Sequence, residues 1–190
     1  IVVTFATAAI PETMRDKELI IFDFDGTLAN TLAIALDILN DLGSDYQLPE
    51  VDHSMAAELK HKSVRELLGM AKISWLQLPG FLRKARTRFR HRIASVHPIA
   101  GIPEMVEELA REDRRMGILT SNREDNVREF LRTHRMEHFE FVESSNNIFG
   151  KSRKLRRIMR RTGLGSEQLV MIGDELRDVE AARKVGVTSI

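Results

Sequence analysis

Asp23 and Asp25 stand two residues apart directly after the apolar run Leu19–Phe22. If the extended conformation persists through them, their carboxylates share one face at the carboxyl end of a strand. Two like charges in a crevice of that kind need a cation or a shared proton. Far along the chain, Gly173-Asp174-Glu175-Leu176-Arg177-Asp178 puts another carboxylate at a strand end, with Asp178 one helical turn further on the same side. These acids are expected to converge with Asp23. Taken alone, Asp174 and Asp178 read better as helix-capping acids, and a single Asp after a strand can also be a turn residue.

Thr120-Ser121-Asn122 closes a second apolar run and offers hydroxyl and amide groups to an anionic oxygen, or else forms an ordinary strand-to-helix turn. Lys151 follows Phe149-Gly150 and brings a cation towards the end of a third run; a lone lysine is otherwise a surface residue. The chain has no cysteine, so disulfides, thiolate zinc sites and a cysteine nucleophile are excluded, and a reducing compartment fits. Any metal must bind oxygen or imidazole. Hard oxygen ligands without His or Cys point to Mg²⁺.

The elements that must position these groups follow from periodicity. LIIFDF from Leu19, MGILTS (116–121), FEFV (139–142) and LVMIG (169–173) read as buried strands, and GVTSI at 186–190 begins a fifth. Ile102, Met105, Val106 and Leu109 keep helical spacing, as do Val127, Phe130, Leu131 and His134, and Leu155, Ile158 and Met159. Alternating strands and helices predict a parallel α/β sheet. From Thr31 to His97 the pattern is helical only, with turn signals at Gly43-Ser44, Gly69 and Pro79-Gly80. A helical insertion over 31–97, with 1–30 and 98–190 forming the core, is the economical expectation.

The composition is that of a globular protein: 190 residues, 43% apolar and 30% charged, with a net charge of +1. Continuous apolar runs are too short for a membrane helix. The first ten residues, IVVTFATAAI, lack the basic leader of a secretory signal and read as a trimmed or appended extension. The charge is uneven, with 6 basic and 12 acidic residues before position 81 and 23 and 16 after it. FLRKARTRFRHRI (81–93) and SRKLRRIMRR (152–161) therefore suggest nucleic acid at first sight. Leu82, Ala85, Phe89 and Ile93 nonetheless share one face, as do Leu155, Ile158 and Met159, so the charges are read as solvated faces and not as a nucleic-acid surface. Trp75 and the methionines are read as packing residues.

DFDGT at 23–27, TSN at 120–122, Lys151 and GDELRD at 173–178 together resemble the four ordered motifs of the haloacid dehalogenase-like phosphohydrolase superfamily. The insertion resembles the small helical cap of its phosphoglycolate phosphatase-like branch, and the likeness runs from about Leu19 to Val187. It implies a Rossmann-like core, Mg²⁺ and an aspartyl-phosphate intermediate. Asp23 would be the nucleophile, Asp25 the general acid and base, and Lys151 the charge stabiliser that also contacts phosphate. Gly26, Thr120, Ser121 and Asn122 would line the phosphate. Asp23, Asp174 and the main-chain carbonyl of Asp25 would hold the metal, with Asp178 behind them. Asn30 departs from a frequent acidic residue, and relatives usually continue beyond the position of Ile190.

The implied function is Mg²⁺-dependent hydrolysis of a small phosphorylated metabolite, phosphoglycolate-like or a sugar phosphate, in the cytoplasm and without a membrane. Asp25 separates the chain from dehalogenases, whose halide leaving group needs no proton. Phosphonate cleavage would need a cap lysine, for which Lys60, Lys62 and Lys72 qualify by type alone. A phosphomutase, or a noncatalytic or nucleic-acid-binding module using the basic helices, is the alternative. The leaving group would be selected by the cap, where Lys60, His61, Lys62, Ser63 and Arg65 form the densest polar stretch.

Overall fold

A computed structural model describes residues 12–46, 48, 50–52, 74, 76–145 and 150–190. The short helix α1 (Glu12–Arg15) precedes β1 (Leu19–Phe22); α2 (Thr31–Tyr46) and α3 (Leu78–Arg92) follow, the latter continued by a 3₁₀ turn at Ile93–Ser95. Then come α4 (Ile102–Arg111), β2 (Arg115–Thr120), α5 (Glu124–Thr133), β3 (Phe141–Ser144), α6 (Lys151–Thr162), β4 (Leu169–Ile172), α7 (Leu176–Arg183) and β5 (Thr188–Ser189). The chain divides into two units, Ile1–Asn30 with His97–Ile190, and Thr31–Val96.

The first unit holds a parallel sheet ordered β3-β2-β1-β4-β5. β1 is central, and all four of its residues are buried, as a strand covered on both faces requires. It pairs Leu19 with Arg115 on one side and with Leu169 on the other, so the three strands start level; β1 and β4 end together at Phe22 and Ile172, and β2 runs two residues further, to Thr120. Leu19, Ile21, Leu119, Leu169 and Met171 form one buried cluster with Leu155 and Ile158 of α6 and Ala182 of α7. On the other side Phe24 meets Phe130 of α5 edge to face at 5.0 Å. Fully burying side chains of this size stabilises by about 1.5–3 kcal/mol each.

FEFV was expected to be the third strand, but β3 begins two residues later. Gly117 pairs with Phe141, and a Cβ on Gly117 would lie 2.2 Å from the Phe141 ring. The missing side chain lets that ring lie across β2, while Phe139 packs edge to face on Phe22 before the strand starts.

In the second unit, the expected break at Gly43-Ser44 does not occur, because α2 runs through both residues and Gly43 is a buried position on it. α2 ends at Tyr46, and the Asn40 side chain bonds both N–H and C=O of Val51. Pro79-Gly80 is likewise not a turn but the first turn of α3, which needs no N–H from proline. Ile38 and Leu42 pack on Phe81, with Leu82, Ala85 and Phe89 against them as the spacing predicted, while Ile93, expected on the same face, falls in the 3₁₀ turn after the helix. Gly69 and Trp75 lie outside the described residues, as do the first ten. Among the described residues no helix is long and apolar enough to cross a membrane.

Candidate active site

β1 ends where its apolar run ends, and the backbone N–H of Asp23 still bonds the Ile172 carbonyl of β4 at 2.8 Å. The chain then winds one tight turn: the Phe24 carbonyl accepts from Leu28 N–H at 3.0 Å and Ala29 N–H at 2.9 Å. Gly26 sits in that turn at φ +77°, a conformation that costs side-chain-bearing residues. Its bareness has a second use, because a Cβ there would fall 2.2 Å from Oδ2 of Asp174. Gly173 does the same for Asp178, whose Oδ2 would lie 2.5 Å from an added Cβ. Two carboxylates therefore rest on backbone that only glycine leaves open.

Asp23, Asp174 and Asp178 each offer an oxygen within 4.8 Å of the others. Lys151, the first residue of α6, reaches between them, with Nζ 2.8 Å from Asp23 Oδ2 and 2.5 Å from Asp178 Oδ1. Asp23, Lys151 and Asp178 are all buried. Burial pushes the Asp23 carboxyl well above the ordinary carboxylate range; Lys151 opposes that, and the charges of Asp178 and Asp25 add to it. For Lys151 burial works against the charge, yet Asp23 and Asp178 together outweigh it and hold the ammonium above its usual value.

Asp23 Oδ1 and Asp178 Oδ2 are buried without a hydrogen-bond partner. Such orphaned oxygens carry a desolvation cost. Their chemistry and closeness to Asp174 fit a hard divalent cation, which takes oxygen ligands. Thr27 Oγ1 also lies 3.4 Å from Asp174 Oδ1.

Asp25 is half-buried and is held by a different neighbour: Asn122 Nδ2 lies 3.0 Å from Asp25 Oδ1 and 3.2 Å from Oδ2. Thr120 is fully buried, and its hydroxyl oxygen accepts the Asn122 backbone N–H at 2.9 Å, leaving the hydroxyl proton to donate elsewhere. Ser121 is exposed at the tip of this turn. Ser144 and Ser145 had no signal in the sequence; the Ser144 hydroxyl donates to the Asn122 carbonyl at 2.6 Å, and the Ser145 N–H donates to that of Thr120 at 2.7 Å. Asn126 was legible as a polar residue four before Phe130 on a helix face otherwise apolar, and it is buried.

The structure thus gathers Asp23, Gly26, Lys151, Asp174 and Asp178 in one cluster, and Asp25, Thr120 and Asn122 in a hydrogen-bonded group attached to the same strand ends. Lys60, His61, Lys62, Ser63, Arg65 and Lys72 lie outside the described residues. Several charges of the basic helices pair with acids: Lys84 with Asp45, and Arg88 and Arg92 with Asp41. Lys154 and Arg161 both bind Glu143; burial would raise that carboxyl, but these cations and Arg157 hold it below its ordinary value.

The fold is matched in known proteins. The chain belongs to the haloacid dehalogenase-like hydrolase family, which it matches over residues 20–190. Within that family it is phosphoglycolate phosphatase-like, an enzyme of the phosphatase kind. It is 30% identical over 172 residues to the phosphoglycolate phosphatase of Synechococcus elongatus, covering 90% of this chain and 81% of the relative. Its fold is similar to a haloacid dehalogenase-like family hydrolase of Streptococcus pneumoniae, with a TM-score of 0.78 at 20% identity, covering 93% and 84% of the two chains. CbbY of Rhodobacter sphaeroides, solved in complex with phosphate, gives a TM-score of 0.70 at 22% identity, covering 91% and 84%.

Proposed function

We propose that the chain is a Mg²⁺-dependent phosphatase that hydrolyses a small phosphomonoester, phosphoglycolate-like or a sugar phosphate, through an aspartyl phosphate on Asp23. The observation that carries this reading is the buried Lys151 set between Asp23 and Asp178 while Asp23 keeps an unpartnered oxygen. Phosphoglycolate is the substrate named for the relative in Synechococcus elongatus, which supports a small alkyl phosphate here.

Asp23, Asp174 and the Asp25 carbonyl would hold Mg²⁺, with Asp178 supporting them. The cation, when bound, supplies positive charge that keeps Asp23 ionised and offsets the phosphate charge. The Asp23 carboxylate attacks phosphorus, and the bond from phosphorus to the leaving oxygen breaks. The Asp25 carboxyl gives its proton to the departing alkoxide. Asp25, now ionised, takes a proton from the incoming water as that water attacks phosphorus. The bond to Asp23 then breaks, releasing phosphate and restoring the carboxylate. Lys151 and the Thr120 hydroxyl carry charge and hydrogen bonds to the phosphoryl oxygens throughout.

Residues 31–97 act in this reading as a cap that selects the leaving group. The two chain crossings at its base are bonded to each other, Asn30 N–H to the His97 carbonyl at 2.9 Å and Ile99 N–H to that of Leu28 at 3.0 Å. The absence of cysteine supports a cytoplasmic setting. The test is a panel of phosphorylated metabolites with and without Mg²⁺. Turnover of at least one alkyl phosphate, lost on chelation, is expected; no turnover of any, including an aryl phosphate, overturns the proposal.

A further inference from the structure

The Asn122 amide has a direction that its neighbours impose. The backbone N–H of Arg123 points to one end of it at 2.8 Å, and a backbone N–H can only donate, so that end is the oxygen. The other end is therefore the NH₂, which meets both oxygens of Asp25, acceptors when ionised. Asn126 approaches the same Asn122 oxygen at 2.9 Å and must present its own NH₂ there. Two donors on Oδ1 and a carboxylate on Nδ2 leave the amide one orientation.

Asn126 is buried on the inner face of α5, beside Val127 and Phe130, and makes no cap to its helix. Its Oδ1 is buried without a hydrogen-bond partner. Leaving a polar atom so costs about 1–3 kcal/mol, which an apolar residue would avoid. Stability alone does not explain an amide at this position; its NH₂, aimed at Asn122, does.

We infer that Asn126 is a positioning residue which, through Asn122, fixes the carboxyl of Asp25 for proton transfer; this rests on the role proposed for Asp25. One Asn122 nitrogen shared by both oxygens holds that edge of the carboxyl towards Asn122 and so restricts how it meets the leaving alkoxide and later the water. A displacement near 1 Å at such a group costs about 10²-fold. Asn126→Asp keeps the shape and, once ionised, removes the donor. The amide of Asn122 must then lose its partner or turn over, which sets its oxygen against Asp25.

The test is single-turnover phosphorylation of the enzyme at saturating Mg²⁺ by phosphoglycolate, whose alkoxide needs a proton, and by 4-nitrophenyl phosphate, whose phenolate does not. Asp25→Asn is the reference, Asn126→Asp the main variant, and Asn122→Ala the second, which decides the matter should a buried aspartate prevent folding. Both Asn variants are expected to slow phosphorylation by phosphoglycolate at least about tenfold more than they slow phosphorylation by the aryl phosphate. Equal losses on both substrates, or only a rise in KM, would overturn the inference and leave Asn122 a phosphate ligand and Asn126 a packing residue. If Asp25→Asn is selective for the alkyl phosphate while the Asn variants are not, the relay is wrong and the role of Asp25 stands. If Asp25→Asn itself shows no selectivity, the proton-transfer role fails and the relay with it.

Discussion

Lys151 Nζ lies 2.8 Å from Asp23 Oδ2 and at the same time touches Asp178, so one ammonium stands between two buried carboxylates. Those two carboxylates carry one negative charge more than the ammonium compensates, and Asp174 beside them adds a second. That surplus is useless for folding and is the charge complement a cation requires.

Lys151→Met should leave both carboxylates buried without a cation. Breaking a buried pair by removing one partner costs about 3–5 kcal/mol. The metal-free variant is expected to lose about 3 kcal/mol in urea denaturation; an unchanged midpoint would mean that Lys151 does not hold the pair.

Asp23→Asn should act in the opposite direction, because Lys151 keeps Asp178 and one of the surplus charges is gone. The native carboxyl of Asp23 sits above its ordinary value of 3.8, so native protein retains a proton that unfolded chains have released. Stability of the metal-free wild type therefore falls as pH rises from that value through the raised one. The variant does not titrate there. Its advantage should be absent below the ordinary value and reach on the order of 1 kcal/mol at neutral pH. Denaturation midpoints in chelator across that range check it, and a variant less stable at neutral pH contradicts it.

Gly26→Ala should disturb Asp174 as well as the backbone. A residue with Cβ at φ +77° is strained by about 1–2 kcal/mol, and the added carbon would lie 2.2 Å from Asp174 Oδ2. Asp174 must swing away. The Mg²⁺ concentration for half-maximal activity is expected to rise about tenfold or more, measured by metal titration; an unchanged titration would separate Gly26 from the metal site.

The strands were legible because β1, β2 and β4 are continuous apolar runs that end in polar residues, and the helices because Ile102, Met105, Val106 and Leu109 repeat at helical spacing. β3 was misplaced by two residues because its register depends on Gly117 admitting the Phe141 ring, a cross-strand fact with no local trace. Gly43-Ser44 and Pro79-Gly80 misled for a related reason: tertiary packing carried α2 through a glycine, and a proline is as suited to a helix start as to a turn. At the site the strand-end pattern led to the expectation that Asp23, Asp174 and Asp178 converge, and Lys151 joined them through the family resemblance. Pattern could not show that Asp178 would pair with Lys151, or that Asn122 would turn its amide to Asp25, because both depend on distances across the sheet. Asn126 was visible only as a polar interruption on an apolar face.

Trapping phosphate on the protein tests the central claim most directly. Wild type and the Asp25→Asn and Asp23→Asn variants are quenched in acid during turnover of 4-nitrophenyl phosphate with Mg²⁺, and the modified peptide is sequenced by mass spectrometry. Label on Asp23 is expected in the wild type and, longer-lived, in Asp25→Asn, which keeps the nucleophile but loses the base for hydrolysis. None is expected in Asp23→Asn. Label that persists when Asp23 is replaced, or full turnover by both variants, would contradict a nucleophilic Asp23 and reduce the pair to structural residues.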